Sequence, residues 1–286
     1  MTKEKTYFRP DDLKTALALL QRPDMHAVPL AGGSWLVPRL RTDVDLPGSL
    51  AAEVDAVVDL ADVGLNTVRL EGSPGNGWLH LGATTPLTDL VDGEACQAIA
   101  GGLLAEAARR EGAVNLRNVA TVAGSVLAAE SSSELLLALL VLAADAIVVS
   151  GDGDERSVPL AALLADPPAL LGRGLITELR LPWPASGVRG GLAFGAPAGH
   201  GAVCAAMAAG SDRHVRALVD GRVGAVSLGV SVGVRPARPL AGPECTSAPG
   251  PRPRMTGWKF VGLPIERKRR ERSGSLALRG LSLIHI

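Results

Sequence analysis

The chain has 286 residues, of which 47% are hydrophobic and 20% are charged, a composition typical of a folded globular protein. Its 29 lysines and arginines balance its 29 aspartates and glutamates, and only 3% of the residues are aromatic. This charge balance and the scarcity of base-stacking side chains argue against binding to nucleic acid or to an anionic membrane surface.

Cysteine and histidine usage predicts no metal site. The three cysteines are scattered, which is too few for an iron–sulfur cluster or a zinc site, and the sequence contains no HExxH motif. No apolar signal-peptide core follows residues 1–5, and the longest apolar run, 135–144, is too short to span a bilayer. We therefore expect a cytoplasmic protein.

The first sixty residues predict a glycine turn between a strand and a helix. Residues 8–20 combine an N-capping segment with helical apolar spacing, and the turn Ala31-Gly32-Gly33-Ser34 follows a strand at 27–30. A helix is predicted at 35–40, although Pro38 weakens the pattern, and a strand at 56–60. Such a turn can direct backbone N–H groups at a phosphate, but alone it is better explained as a plain tight turn.

Residues 61–182 predict a mixture of strands and helices around a second small-residue turn. Strands are predicted at 67–70, 78–82, 146–149, 156–160 and 175–181, with hairpin turns at 73–77 and 151–154. Helices are predicted at 86–91 with Thr84 or Thr85 as the cap, at 97–110, and from the capping box Ser131–Glu134 to Leu142. The second turn, Thr121-Val122-Ala123-Gly124-Ser125, is compatible with phosphate binding or with a packed crossover beneath a sheet.

The character of the sequence changes after Pro184. A glycine-rich stretch at 187–201 precedes a predicted helix at 202–209 and predicted strands at 214–220 and 225–234. The basic run 267–270 is better explained as part of a solvated, disordered tail than as a site for nucleic acid or lipid.

Five short blocks in a fixed order carry a resemblance to a known family. The blocks are Leu30–Ser34, Val58–Leu60, Leu81–Thr85, Leu116–Ser125 and Ile176–Pro182. Their order resembles the FAD-binding medium subunit of the molybdenum hydroxylases of the xanthine dehydrogenase and carbon monoxide dehydrogenase type, over roughly residues 5–240.

The resemblance implies an α+β fold in two parts. Residues 1–182 would form a FAD-binding domain of the vanillyl-alcohol-oxidase (PCMH) type, with two subdomains at about 1–60 and 61–182. Residues 187–243 would form a small C-terminal α+β domain that is truncated or divergent. Residues 244–286 would be a disordered tail or sequence foreign to the family, and a shift of reading frame near Glu244 is one hypothesis for it.

The resemblance also implies FAD as the cofactor and a set of residues that bind it. No side chain is assigned a catalytic role and none a metal-binding role. The diphosphate would lie between the two turns, the flavin near the Gly-Ala-Thr-Thr block and the adenosine ribose near an acidic residue. The residues so implied are Ala31, Gly32, Gly33, Ser34, Thr84, Thr85, Thr121, Gly124, Ser125, Glu134 and Ile176.

The sequence departs from the family pattern at several of these positions. Ala123 adds a methyl group where the family has glycine, where it would crowd the diphosphate, and Ser125 is shorter than the usual asparagine. Glu134 is one methylene longer than the usual aspartate. The basic residue that often follows Phe194 is missing, since no lysine or arginine occurs before Arg213. Flavin binding is therefore most vulnerable at the second turn.

By the resemblance, the protein is an electron-transfer flavoprotein, an oxidoreductase subunit that passes electrons from iron–sulfur clusters through FAD to a terminal acceptor. Its partners would be a molybdopterin-binding large subunit and a [2Fe-2S] small subunit, without nucleic acid or membrane insertion. The alternative is a scaffold subunit that has lost its flavin. A stand-alone oxidase ranks last because no candidate base or flavin-linking side chain is present.

Three polar strand residues are given structural roles. We expect His80 at the surface or rim of the protein. Asp59 and Glu178 are expected to make structural hydrogen bonds rather than to transfer protons.

Overall fold

The computed structural model describes residues 5–42, 49–129 and 133–195, together with the backbone of two further strands at 203–209 and 215–220. These residues form three sheets. The first two sheets carry the elements that surround the candidate site.

The first sheet has three parallel strands in the order β1-β3-β2. Its elements are β1 Thr6–Phe8, α1 Leu13–Leu20, β2 Ala27–Leu30, α2 Leu36–Thr42, α3 Leu50–Glu53 and β3 Ala56–Asp59. The carboxylate of Asp12 caps α1 by accepting the N–H of Thr15 at 2.8 Å, as the sequence predicted for this segment. The apolar face of α1 packs on the sheet in a cluster that also includes Val149 and Leu175 of the second sheet. This shared cluster joins the two sheets.

The second sheet has five antiparallel strands in the order β4-β5-β8-β6-β7. The strands are β4 Val68–Ser73, β5 Asn76–Gly82, β6 Asp145–Val149, β7 Glu155–Pro159 and β8 Leu175–Pro182. Leu79, Leu81, Leu179 and Leu181 face the main core and are fully buried. Strand β8 contains a β-bulge at the point where its pairing passes from Ile147 to Val148 of β6. The bulge is next to one wall of the site.

Helices cover the core face of this sheet and connect its strands. They are α4 Leu87–Asp92, α5 Glu94–Ala98, the 3₁₀ turn Ile99–Gly101, α6 Leu103–Arg110, α7 Val114–Arg117, α8 Val122–Leu127, α9 Glu134–Val141, α10 Leu160–Ala165 and α11 Pro167–Leu171. The third sheet is antiparallel in the order β11-β10-β9 and lies beside α9. Its strands are β9 Arg189–Gly195, β10 Val203–Ala209 and β11 Val215–Asp220.

The strands and hairpins predicted between residues 27 and 181 are confirmed, and so is the strand at 214–220. The helix predicted at 202–209 is wrong, because this alanine-rich segment is the central strand of the third sheet. Pairing on both sides outweighs its intrinsic helix propensity. The strand predicted at 225–234 and the tail from 244 onward lie outside the described residues.

Three helix predictions needed correction. The helix predicted at 97–110 is broken at Gly101 and Gly102, whose φ angles of 72° and 88° end one helix before α6 begins. Neither Thr84 nor Thr85 caps α4, because Pro86 occupies the N-cap position without a side-chain hydrogen bond. The cap of α9 is Ser133, whose hydroxyl accepts the N–H of Leu136 at 3.1 Å.

Within the described part of the chain, no helix is long and apolar enough to cross a membrane. The same residues contain no group of three or more His, Cys, Asp or Glu side chains arranged to hold a metal ion. Cys96 is buried in the main core, and burial raises the pKa of its thiol to about 12. It is therefore an inert core residue.

Candidate functional site

The two small-residue turns touch each other through their backbones. A Cβ atom built on Gly32 would lie 1.6 Å from the carbonyl oxygen of Val119, so no side chain fits there. Gly33 has φ of +68°, and its Cβ would lie 2.9 Å from a methyl carbon of Val37. Both glycines of the first turn are thus required by the fold itself.

The second small-residue turn forms the start of helix α8, and Thr121 is the N-cap residue of that helix. Its backbone is held against the segment before α4: the N–H of Val122 donates to the Thr85 carbonyl at 2.9 Å, and that of Ala123 to the Ala83 carbonyl at 3.1 Å. The Gly124 N–H follows these two and has no hydrogen-bond partner among the described residues. One amide of this turn is therefore left to bind a ligand.

The backbone N–H groups of the first small-residue turn also lack hydrogen-bond partners among the described residues. Gly32, Gly33 and Ser34 make no hydrogen bond through their N–H groups to any other described residue. These groups and Gly124 line one small cavity between the turns. Converging backbone N–H groups at a helix start favour an anion such as a phosphate.

Gly124 lines this central cavity and two neighbouring ones, and we treat the three cavities together as one groove. We call its parts the central, apolar and charged sections. The central section is lined by Ala31, Gly32, Gly33, Ser34, Trp35, Leu36, Thr121 and Gly124.

The apolar section lies between the two sheets. Its lining residues are Pro29, Ala31, Leu60, Ala83, Thr84, Ala123, Gly124, Leu127, Leu171, Leu175 and Ile176. The bulge in β8 presents the carbonyl of Thr177 to the N–H of Ala83 at 2.9 Å, which holds residues 83 and 84 beside Ile176. The Thr84 hydroxyl is buried without a hydrogen-bond partner. The lining is of the kind that suits a flat apolar group with a few polar atoms, and the open volume of the section is about 30 Å³.

The charged section is the largest, with a volume of about 540 Å³. Its lining residues are Ser34, Trp35, Arg39, Leu87, Arg110, Glu111, Leu116, Arg117, Ala120, Gly124, Ser125, Ala128, Ala129, Ser133 and Glu134. Its charged side chains are three arginines and two glutamates, so the section is nearly balanced in charge.

One carboxylate organises this end of the groove. Glu111 accepts the Ser133 hydroxyl at 2.7 Å and the Leu135 N–H at 3.3 Å, and so braces the start of α9. Burial raises the pKa of the Glu111 carboxyl above its ordinary value, although these two hydrogen bonds oppose the shift. Glu134 lies 3.5 Å from Arg110, an ion pair at the cavity wall.

The structure brings ten of the eleven sequence-predicted residues to this groove. The exception is Thr85, which is fully buried and whose hydroxyl donates to the Thr67 carbonyl at 3.1 Å. Its role is to hold the strand pair rather than to face the groove. The sequence did not single out Trp35, Arg39, Arg110, Glu111 or Ser133, which lie in the charged section. Only the i, i+4 spacing of Trp35 and Arg39 could have drawn attention to any of them.

The two departures at the second turn fall in different sections. Ala123 lines the apolar section and not the central one. Ser125 lines the charged section. Residues 196–202, where the missing basic residue was noted, lie outside the described part of the chain.

The prediction that His80 lies at the surface was wrong, since only 3% of it is exposed. Its ring lies on the outer face of the second sheet, where Nδ1 is 2.8 Å from a Glu178 carboxylate oxygen, and Arg69 packs beside it. Asp59 accepts the Tyr7 hydroxyl and the Ala61 N–H. Asp59 and Glu178 therefore make the structural hydrogen bonds that the sequence predicted.

A groove with an apolar section, a section lined by free amides and a section lined by charged side chains is typical of a site for a dinucleotide cofactor. The particular family follows from comparison with known sequences. Residues 2–184 match the family described as the FAD binding domain in molybdopterin dehydrogenase, and the chain belongs to that family. The family and the cofactor FAD, both expected from the ordered blocks, are thereby confirmed.

Several relatives are similar over part of their length. The chain is 33% identical over 153 residues to the Escherichia coli (strain K12) protein YgfM, covering 53% of this chain and 51% of that protein. It is 29% identical over 181 residues to the glyceraldehyde dehydrogenase medium chain of Sulfolobus acidocaldarius, covering 63% and 60% respectively. The chain therefore spans half to three fifths of the length of these relatives.

Solved structures share the fold. The carbon monoxide dehydrogenase of Hydrogenophaga pseudoflava aligns with a TM-score of 0.61 at 23% identity, covering 77% of this chain and 75% of that chain. The quinoline 2-oxidoreductase of Pseudomonas putida 86 aligns with a TM-score of 0.62 at 21% identity, with the same coverage. These likenesses support the mixed α and β architecture.

The residues of the groove fit FAD. The central section is lined by four residues whose amides have no partner among the described residues and by Thr121, whose hydroxyl is unpartnered, and a diphosphate needs hydrogen-bond donors of this kind. The unpartnered hydroxyl of Thr84 lies in the apolar section, where a flavin ring needs polar contacts at its edge. A buried hydroxyl without a partner is costly unless a ligand satisfies it.

Proposed function

We propose that this chain is the flavoprotein electron-transfer subunit of a molybdenum hydroxylase complex, an oxidoreductase component. In the proposed assembly, it receives electrons from the [2Fe-2S] clusters of a small subunit, which in turn serve a molybdopterin-binding large subunit. FAD, when bound, supplies a carrier for these electrons on their way to a terminal acceptor. The family membership supports this function, as does the relative that is named a medium chain.

The observation that carries the proposal is the order of chemistry along the groove. The apolar section with Thr84 and Ile176 suits the flavin, the amides of both turns suit the diphosphate, and the charged section with Glu134 suits the adenosine. The side chains of the chain bind, orient and shield the cofactor. No acid, base or nucleophile is required of them for this role.

The experiment that tests flavin binding is a titration of the purified full chain with FAD. We expect a yellow protein with the two visible flavin bands and a dissociation constant in the micromolar range or below. A chain that stays colourless with excess FAD would contradict the proposal and favour the flavin-deficient scaffold. In that case the double variant Ala123→Gly, Ser125→Asn should gain flavin, since it restores the family residues at the second turn.

Two neighbouring threonines provide a matched pair of variants. Thr84→Val keeps the shape of the side chain but removes a hydroxyl that has no hydrogen-bond partner among the described residues. The FAD-free chain should therefore be as stable as the original chain or slightly more stable. FAD should bind to this variant about fivefold to tenfold less tightly. Thr85→Val removes the hydrogen bond to Thr67, so unfolding should become easier by about 1 kcal/mol while FAD affinity is kept. Equal effects of the two variants on FAD would argue against the assigned positions.

The proposed assembly is tested separately. Affinity-tagged full chain, purified from its native host, should retain molybdenum and iron in amounts comparable to its flavin. Flavin-loaded chain without either metal would contradict the complex while leaving the FAD site intact.

A further inference from the structure

Trp35 and Arg39 form a preformed stack at the wall of the charged section. Trp35 immediately precedes α2, and the guanidinium of Arg39, one turn later, lies 3.7 Å from the centroid of the indole ring. A hydrogen bond from Arg39 Nη1 to the Trp35 carbonyl, at 3.2 Å, holds the guanidinium in place. The indole packs against the apolar cluster around Leu36 and Val57. The planar cation is therefore anchored to the first sheet before any ligand arrives.

Of the three arginines of this section, Arg39 has the guanidinium with the fewest partners among the described residues. Arg110 pairs with Glu106 at 2.8 Å and approaches Glu134, and Arg117 donates to the main-chain carbonyls of Arg109 and Gly112. Within the described residues, Arg39 makes no ion pair and no hydrogen bond beyond the one to the Trp35 carbonyl. Its guanidinium is available to a ligand in the cavity.

The position of the stack identifies the part of the ligand that it meets. Trp35 lines both the central and the charged section, so the stack begins where a diphosphate held by the two turns would end. The same section is lined by the apolar side chains of Leu116, Ala128 and Ala129, which leave about 540 Å³ of space. A planar aromatic base suits a guanidinium plane on one wall and apolar groups on the others.

We propose that the Trp35–Arg39 stack is the platform for the adenine base, and that it determines a preference for FAD over FMN. This inference rests on the proposed FAD-binding function. The face of the guanidinium stacks on the base, while the Glu134 carboxylate, whose Oε2 has no hydrogen-bond partner, can accept from the exocyclic amine or the ribose hydroxyls. FMN has no adenine and gains nothing from the stack.

The test compares the dissociation constants of FAD, FMN and ADP for the full chain and for two variants. Arg39→Lys keeps the positive charge but loses the planar guanidinium group. Because the Arg39 side chain is exposed, the substitution should not affect folding. We expect this variant to bind FAD and ADP about tenfold to one hundredfold less tightly and to bind FMN with unchanged affinity. The control, Arg41→Lys, changes the same residue type on the same helix but does not line the cavity, and should bind all three ligands as the original chain does.

Other outcomes would overturn the inference. If Arg39→Lys binds FAD as tightly as the original chain while Arg39→Gln binds it weakly and with less dependence on salt, Arg39 pairs with a phosphate instead. If FAD and FMN weaken equally, the residue does not recognise adenine. If the original chain binds no flavin, the proposed function fails and the affinity for ADP decides the inference. ADP binding that is weakened by Arg39→Lys supports the platform. The absence of ADP binding, or ADP binding that Arg39→Lys leaves unchanged, overturns it.

Discussion

The two small-residue turns of the groove differ in the physical reason for their small residues. In the first turn, Gly32 faces a backbone carbonyl at a distance that no Cβ could tolerate, and Gly33 has a positive φ. In the second, a Cβ on Gly124 would meet only the Thr121 hydroxyl, at 2.9 Å, and the chain already carries a methyl group at Ala123. The first turn is thus restricted by close contacts and by its backbone conformation, whereas the second meets little in the protein besides the Thr121 hydroxyl.

This difference explains where the departures from the family pattern occur. The helix start at the second turn accepts Ala123 and Ser125 because its geometry is ordinary α-helix, which most residues adopt. The first turn keeps its glycines because a substitution there would separate the two backbones. The comparison predicts that the two turns respond in opposite ways to the same glycine-to-alanine change.

The largest effect is expected for Gly32→Ala in the first turn. Its methyl group would overlap the Val119 carbonyl, so the free energy of unfolding should fall by at least about 3 kcal/mol, as measured by denaturant titration of the FAD-free chain. Gly64→Ala is the control, because Gly64 also has a positive φ of 81° but has open space around it. It should lose only about 1 kcal/mol, the cost of backbone strain. Equal losses would show that the contact with Val119 is unimportant.

The corresponding change in the second turn, Gly124→Ala, should affect binding rather than stability. Alanine favours the helix by about 1 kcal/mol, which offsets the tight contact with Thr121, so the unfolding free energy should change little. The added methyl group lies where the three sections meet, and FAD affinity should fall roughly tenfold or more, comparable to losing one charge-assisted hydrogen bond. A stability loss like that of Gly32→Ala would remove the distinction between the turns.

A third effect concerns pH at the charged end of the groove. The pKa of Glu111 is raised by burial, so the folded state holds its proton more tightly than the unfolded state. Its stabilising contribution is present below the ordinary pKa of 4.5 and is lost as pH rises through the raised value. Glu111→Gln removes this dependence, so the variant should gain stability relative to the original chain as pH rises from about 4 towards 7.

The matched control for this pH effect has the opposite sign. Glu106 pairs with Arg110 and Arg109, which lower its pKa, so it contributes stability above its ordinary pKa that is lost as pH falls. Glu106→Gln should therefore be less stable than the original chain near neutral pH and should equal it in acid. Denaturant titrations at several pH values measure both variants, and parallel curves for the two would contradict the assignment.

The smallest effect on stability is expected for Thr121→Val. The hydroxyl of Thr121 is buried without a partner at the N-cap of α8, so its loss should change the unfolding free energy by less than about 0.5 kcal/mol. FAD should bind several-fold less tightly, because the hydroxyl lines the central section. A variant that is clearly less stable but binds FAD normally would assign Thr121 to the fold, as for the glycines of the first turn.

Much of this protein could be predicted from its sequence because the signals were local. Alternating apolar residues located the strands at 78–82 and 175–181, since their side chains bury on one face. The order of five short blocks identified the family, and through it the residues of both turns. Local patterns failed where pairing partners decided the outcome, as in β10, whose alanines are typical of a helix.

Only the tertiary structure decided how the predicted residues are used. The sequence treated Thr84 and Thr85 alike, but the fold leaves the hydroxyl of Thr84, which lines the apolar section, without a partner and directs the Thr85 hydroxyl to the Thr67 carbonyl. It implied that Ala123 would crowd the diphosphate, and the folded chain places Ala123 in the lining of the apolar section. Residues distant in sequence, such as Gly32 and Val119, constrain each other only when the chain is folded. Composition and order therefore determined the family and the cofactor, and packing determined which atoms face it.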